Sequence, residues 1–204
     1  MKLRLSEAAA LLGVAYAGPD AEAKRIVTDS RILRPGDLFI ALRGDKFDGG
    51  QFAAQALQQG AAGVVLDAAQ APGVAHAIRV DDTRLALGRL AAAWRKRFAI
   101  PVVAVTGSNG KTTVKEMLAA ILQAEAGAGA AVLATEGNLN NDIGVPLMLL
   151  RLRPQHQFAV LEMGMNHAGE IDYLTRLARP DVALVNNALT AHIGNLGSVE
   201  AIAR

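Results

Sequence analysis

The stretch "VVAVTGSNGKTTVKEML" (Val102 to Leu118) restricts the folds open to this chain more than any other. It joins an apolar run to a helix-forming run through a turn that holds Gly107 and Gly110. An apolar run without polar alternation is buried on both faces, which predicts a strand in a parallel sheet covered by helices. A glycine turn between such a strand and a helix lets several backbone N–H groups approach one anion, because no side chain stands in the way. Lys111 adds a positive charge suited to the β- and γ-phosphates of a nucleotide, and Thr112 adds a hydroxyl suited to Mg2+. The widespread pattern G-x-x-x-x-G-K-[ST] is not met in full, since Val105 stands where its first glycine belongs. The strand before and the amphipathic helix after favour a nucleotide phosphate loop over a plain strand–helix turn.

"AAVLAT", "FAVLEMG" and "DVALVNN" predict further strands of the same sheet, with helices in "IGVPLMLLR" and "GEIDYLTRLA" between them. Open α/β sheets bind ligands at the carboxyl ends of their strands. Glu162 ends one of these strands. Alone it reads as a surface acid; beside a phosphate loop it becomes a candidate for holding Mg2+, directly or through water. His192 follows "DVALVNN" at the same predicted edge, where spacing leaves open a ligand or a satisfied structural histidine. "EGNLNNDIGVP" (Glu136 to Pro146) has the composition of any tight loop. Its place at the edge equally suits substrate contact through Asn138, Asn141 and Asp142. His167 and Asp172 are lesser candidates.

Before residue 101 the chain also alternates. "RIVTDS" and "GDLFIAL" predict strands around the turn "RPG", and "AGVVLD" and "AHAIRVDD" predict two more. "GGQFAAQALQQG" predicts a helix with Phe52, Ala56 and Leu57 on one face and Gly60 as its stop. "DDTRLALGRLAAAWRKRFAIP" predicts a helix capped by Asp82 or Thr83, striped by Leu87, Leu90, Ala91, Trp94 and Phe98, and stopped by Pro101. Trp94 lies on that stripe and reads as core rather than a ligand platform; the "RKR" that follows reads as a solvated face. The chain is therefore expected to be α/β throughout, with one domain over 1–82, a linking helix over 83–100 and a second domain over 101–204.

The opening "MKLRLSEAAALLGVAYAG" has the basic start and apolar run of a secretory leader, but Ser6, Glu7 and Gly13 interrupt it. It reads instead as a helix with Ser6 as its N-cap. No apolar run approaches the ~18 residues that a membrane span needs. A net charge of +2 and 4% aromatic residues argue against a nucleic-acid surface. The absence of cysteine excludes disulfides and fits a reducing compartment.

Taken together, "TGSNGKTT", "TEGNLNNDIGVPLMLL", "LEMGMNHAGEI" and "NNALTAHIGNLGS" resemble the Mur ligase family of bacterial cell-wall enzymes, whose own "TGTNGKT"-type loop lacks the distant glycine. "TDSRILRPGDLFIALRGDKFDG" is similar to that family's UDP-sugar-binding module. The resemblance implies a small N-terminal α/β substrate domain followed by an incomplete P-loop-type parallel-sheet ATPase domain. It implies that Gly107, Ser108, Asn109, Gly110, Lys111, Thr112 and Thr113 bind ATP, and that Thr112, Glu162 and His192 serve Mg2+. Lys111, Glu162 and His192 become the catalytic set. Ser30 and Arg31, with Gly44 to Gly49 nearby, are placed near the UDP-muramoyl end of the substrate.

The implied activity is an ATP-dependent ligation of peptidoglycan precursor synthesis. It joins D-alanyl-D-alanine to UDP-N-acetylmuramoyl-tripeptide through an acyl phosphate, in a cytoplasmic monomer with no nucleic-acid or membrane partner. A sister ligase adding the third peptide residue, a folylpolyglutamate-synthetase-like ligase and a non-catalytic nucleotide-binding module are the alternatives. The family's carbamylated lysine falls beyond the His192 motif, and no lysine follows Lys115. The sequence stops within "GSVEAIAR", so a fragment is expected, inactive alone and binding the UDP-substrate better than ATP.

Overall fold

A computed structural model describes residues 1–44, 47–127, 131–190 and 193–203. The chain divides into two compact units, Met1–Ala93 and Trp94–Arg204, and the division falls inside the predicted linking helix.

The first unit opens with β1 (Leu3–Arg4), α1 (Leu5–Leu12) and β2 (Glu22–Ala23), of which β1 and β2 pair antiparallel. Ser6 is not the cap of α1. Arg4 holds the N-cap position in extended backbone, and the Ser6 N–H donates to Asp20 Oδ1 at 2.9 Å. Leu5 opens the helix and is fully buried, and its side chain fills the space that a Cβ on Gly63 would enter at 2.7 Å. A distant carboxylate thus replaces the local cap.

The main sheet of this unit contains β3 (Arg25–Val27), β4 (Asp37–Ile40), β7 (Gly63–Asp67) and β8 (Ile78–Val80), in that order and all parallel. The two strands around "RPG" therefore form no hairpin. Strand β3 stops at Val27, and a 3-10 turn over Ser30–Ile32 takes up the rest of "RIVTDS". Buried Asp37 fixes the return by accepting from Arg25 Nη2 at 2.6 Å and from the Arg34 N–H at 2.8 Å. A short antiparallel pair, β5 (Arg43–Gly44) and β6 (Phe47–Asp48), follows. The predicted "GGQF…" helix begins as a 3-10 turn over Gly49–Phe52, because Asp48 caps the Gly50 N–H, and only then becomes α2 (Ala53–Gln58). Val27, Phe39, Ala53, Ala56, Val64 and Leu66 form the core beneath it.

Helix α3 (Thr83–Arg95) is capped by Asp82, whose Oδ1 accepts from the N–H groups of Arg84 and Leu85 at 2.7 and 2.9 Å. Trp94 is buried, and its Nε1 donates to the Leu152 carbonyl at 3.1 Å. The "RKR" run is not uniformly solvated. Arg95 is only 8% exposed, and its Nε donates to Ala178 O, the last carbonyl of a helix in the second unit. An unpaired helix-end carbonyl is a strong acceptor for a guanidinium, and burial lowers the Arg95 pKa from its usual value.

The second unit is a four-stranded sheet in the order β10-β11-β9-β12, parallel throughout. Its elements are β9 (Val102–Thr106), α4 (Lys111–Ala126), β10 (Ala131–Ala134), α5 (Gly144–Leu149), β11 (His156–Glu162), α6 (Glu170–Ala178) and β12 (Val182–Val185), followed by α7 (Ile193–Leu196) and α8 (Val199–Ala203). The chain leaves β9 for one side of the sheet and returns to its other side at β12, so the strand order reverses at β9. The carboxyl end of β9 is therefore the topological switch point, where such sheets open a crevice. β12 is an outer strand of this sheet, with Val182 and Val185 58% and 67% exposed.

Candidate active site

Val105 explains the unusual loop. It is fully buried within β9 and stands in register with Glu162 on one side and Leu184 on the other. The strand runs on to Thr106, so the turn is confined to residues 107–110. Both glycines are required there. Gly107 has φ +140° and a Cβ on it would lie 3.0 Å from the Asn187 N; Gly110 has φ +76° and its Cβ would meet Asn186 Nδ2 at 2.8 Å.

The segment just after β12 clamps this loop. The Asn187 carbonyl accepts from the Ser108 N–H at 3.1 Å, and Asn187 Oδ1 accepts from the Asn109 N–H at 3.0 Å. Asn186 Nδ2 and Asn187 Nδ2 both donate to Asn109 O, and the Leu189 N–H donates to Ser108 Oγ. The backbone donors of Ser108 and Asn109 are thereby committed. Those of Gly110, Lys111, Thr112 and Thr113 open helix α4, where no intrahelical acceptor exists, and they suit an anion at the helix start. Lys111 Nζ lies over the same turn, donating to Gly107 O at 2.6 Å.

Glu162 ends β11, one strand from β9, and is 2% exposed. Thr112 Oγ1 donates to its Oε2 at 2.8 Å, and Asn140 Nδ2 donates to its Oε1 at 2.7 Å. A threonine hydroxyl that donates to a carboxylate keeps its lone pairs for a cation. Hydroxyl and carboxylate oxygens are hard donors, and the donor set fits Mg2+, which binds through one or two carboxylates together with phosphate oxygens. Among the described residues no group of three or more His, Cys, Asp or Glu side chains is disposed to hold a metal. His192 lies outside the described residues.

The loop between β10 and α5 sorts its asparagines by turn geometry. Asn140 faces Glu162. Asn141 turns to its own helix, where its Oδ1 accepts from the Gly144 N–H at 2.8 Å. Asn138 is exposed and Asp142 half-buried. His167 pairs with Glu170, and Asp172 with Arg176 one turn on; both lie on the surface of the α6 region rather than at Glu162.

Two family models match the chain. The one described as the Mur ligase family catalytic domain covers residues 22–95, and the Mur ligase middle domain covers residues 105–204. The chain belongs to the Mur ligase family. It is 46% identical over 204 residues to the UDP-N-acetylmuramoyl-tripeptide–D-alanyl-D-alanine ligase of Escherichia coli, a match that takes in 100% of this chain and 44% of the relative. Its fold is similar to crystal structure I of MurF from Acinetobacter baumannii, with a TM-score of 0.92 and 43% identity over 100% of this chain and 45% of that one. It is also similar to the MurF ligase from Thermotoga maritima in complex with ADP, with a TM-score of 0.80 and 35% identity over 89% of this chain and 41% of that one. The chain thus spans about 44% of the length of the relative.

The first unit of this Mur ligase carries Ser30 and Arg31 on the 3-10 turn after β3. Asp29 caps that turn and forks the Arg31 guanidinium, with Nη2 to Oδ2 at 2.7 Å. Hydrogen bonds from the Arg31 side chain, and then from its backbone N–H, hold the Asp29 carboxyl down at about 2, so the pair stays ionised well into acid. Ser30, Arg31, Phe39, Phe47 and Phe52 line a cavity of about 480 Å³. The rings of Phe47 and Phe52 stack with centroids 5.9 Å apart. Asp45 and Lys46, within the predicted Gly44-to-Gly49 stretch, lie outside the described residues.

Sequence reasoning missed Asn140 and the Asn186–Asn187 clamp, and took in Phe47 only as part of the Gly44-to-Gly49 stretch. Three asparagines within four residues give no spacing signal for which one turns inward, whereas a pair of asparagines directly after an apolar strand at the ligand edge was a usable signal.

Proposed function

We propose that the protein to which this chain belongs is an ATP-dependent amide ligase joining D-alanyl-D-alanine to UDP-N-acetylmuramoyl-tripeptide. The observation that carries the reading is the pairing of Thr112 with buried Glu162 at 2.8 Å beside a glycine loop bearing Lys111, in a chain 46% identical to a ligase of that name. The ADP complex of the Thermotoga maritima relative supports ATP as the nucleotide.

A carboxylate does not react with an amine at neutral pH, because oxide is too poor a leaving group. The α4 N–H groups of residues 110–113 and Lys111 Nζ hold the phosphates and take up negative charge as the γ-phosphoryl group moves. An oxygen of the tripeptide carboxylate attacks the γ-phosphorus, the bond to the β-phosphate oxygen breaks, and ADP leaves. The amine of D-alanyl-D-alanine attacks the acyl carbon, loses a proton, and phosphate departs. Alignment and electrostatics carry the rate, without a protein nucleophile. Thr112, Glu162 and His192 would hold Mg2+, which supplies charge neutralisation at the phosphate oxygens. The stacked Phe47–Phe52 cavity with Ser30 and Arg31 suits the UDP end, with a base against the rings and the diphosphate toward the guanidinium.

The test is phosphate release from ATP by the full-length protein. It is expected only when both the muramoyl tripeptide and D-alanyl-D-alanine are present, one phosphate per amide formed. Equal release without the dipeptide would contradict the reading.

A further inference from the structure

Lys115 is one of the largest fully buried side chains in the molecule, at 2% exposure, and the phosphate chemistry does not use it. An apolar side chain at this helix position would bury without the desolvation that an ammonium suffers. Its Nζ donates to the Thr135 carbonyl at 2.8 Å and pairs with the carboxylate of Glu116. Thr135 is equally buried and sits directly after β10. Its N–H continues the ladder to Val160 O at 3.0 Å, and its Oγ1 then accepts from the Glu162 N–H at 2.9 Å. The threonine hydroxyl stands in for the next strand carbonyl, at the residue whose carboxylate meets Thr112.

Thr112 and Lys115 are three residues apart and so share one face of α4. The hydrogen bonds therefore close a ring. From α4, Thr112 holds the Glu162 carboxylate, Glu162 leans on Thr135 through its backbone, and Thr135 is held by Lys115 on the same helix.

We propose that Lys115 and Thr135 are positioning residues that fix the Glu162 carboxylate against the Thr112 hydroxyl, setting the affinity of the site for its divalent cation. The ring makes the distance between the phosphate loop and Glu162 a property of two grips rather than one, on the side chain and on the main chain. This rests on the reading of Glu162 as a cation-side carboxylate. Groups that orient a metal ligand from behind change metal affinity by about 10- to 100-fold when removed.

The experiment titrates Mn2+ into the full-length protein with ADP, following free Mn2+ by its electron paramagnetic resonance signal, and measures kcat, KM and melting temperature alongside. Thr135→Val removes the acceptor while keeping the shape; Thr135→Ser restores it. The valine variant is expected to bind Mn2+ about tenfold more weakly and to lose kcat with KM for the UDP-substrate unchanged, and the serine variant to lie within about twofold of the unaltered protein. Lys115→Met is expected to follow the valine variant. A lowered melting temperature in Thr135→Val with Mn2+ affinity and kcat intact would show that the ring only supports the fold, and would overturn the proposal. If Lys115→Met fails to fold, the Thr135 pair decides alone. Failure of the unaltered protein to take up Mn2+ with ADP would remove the reading of Glu162 itself, an outcome distinct from a ring that does not matter.

Discussion

Lys111→Ala is expected to lower kcat of the full-length enzyme by at least about 10³-fold while leaving the fold intact. The ammonium lies over the loop, 2.6 Å from the Gly107 carbonyl, and it is the one cationic side chain of the turn. A charge that acts where negative charge builds up in an enclosed site contributes more to the transition state than to the ground state. Its removal should therefore appear in kcat. The residue is half-buried and outside the apolar core, so the melting temperature should move little. KM for the UDP-substrate should hold, because Ser30 and Arg31, proposed for the UDP end, belong to the other unit. Lys111→Arg should not rescue, since a planar fork cannot occupy the point position that the ammonium takes over a turn this tight. Steady-state kinetics with thermal melts reads all of this, and near-normal kcat in a folded Lys111→Ala would remove the loop from the mechanism.

Glu162→Gln is expected to lower activity by roughly 10²-fold and to raise the Mg2+ concentration for half-activity by at least about tenfold. The carboxylate accepts one hydrogen bond on each oxygen, from Thr112 and from Asn140. An amide of the same shape has one acceptor and one donor, so its oxygen can accept from Asn140 while its N–H donates to the Thr112 hydroxyl and takes up a lone pair otherwise open to a cation. Stability at this buried site should therefore change little while the negative charge is lost. Activity measured against Mg2+ concentration, together with urea unfolding, separates the two effects. An unchanged Mg2+ dependence would mean that Glu162 is a structural acid only.

The strand–loop–helix unit was legible because its parts are local. Apolar β9, two glycines and an amphipathic helix follow one another, and each has a single structural use. The departure from the usual loop pattern was also informative once burial was known. Val105 keeps its side chain because it belongs to the strand, in register with Glu162. What stayed hidden depends on partners far along the chain. Ser6 looks like a helix cap by every local rule, yet Asp20 holds its N–H. Arg95 looks like a surface charge until the Ala178 carbonyl reaches it across 83 residues of sequence. Asn140 and Asn141 differ only in which way a turn points them, one to Glu162 and one to its own helix. The Asn187 clamp lies 78 residues from the Asn109 N–H that it accepts from.

The proposed function requires that the tripeptide carboxylate be phosphorylated on the enzyme, at the loop that ends where Lys111 and Thr112 open α4. The most direct measurement starts from UDP-N-acetylmuramoyl-tripeptide carrying oxygen-18 in that carboxylate and follows the label by mass spectrometry after ligation by the full-length protein. An acyl phosphate puts one labelled oxygen into the released inorganic phosphate for each amide bond formed, and that is the predicted result. Unlabelled phosphate with the amide still formed would mean that ATP is cleaved without passing its phosphoryl group to the carboxylate, and would contradict the account.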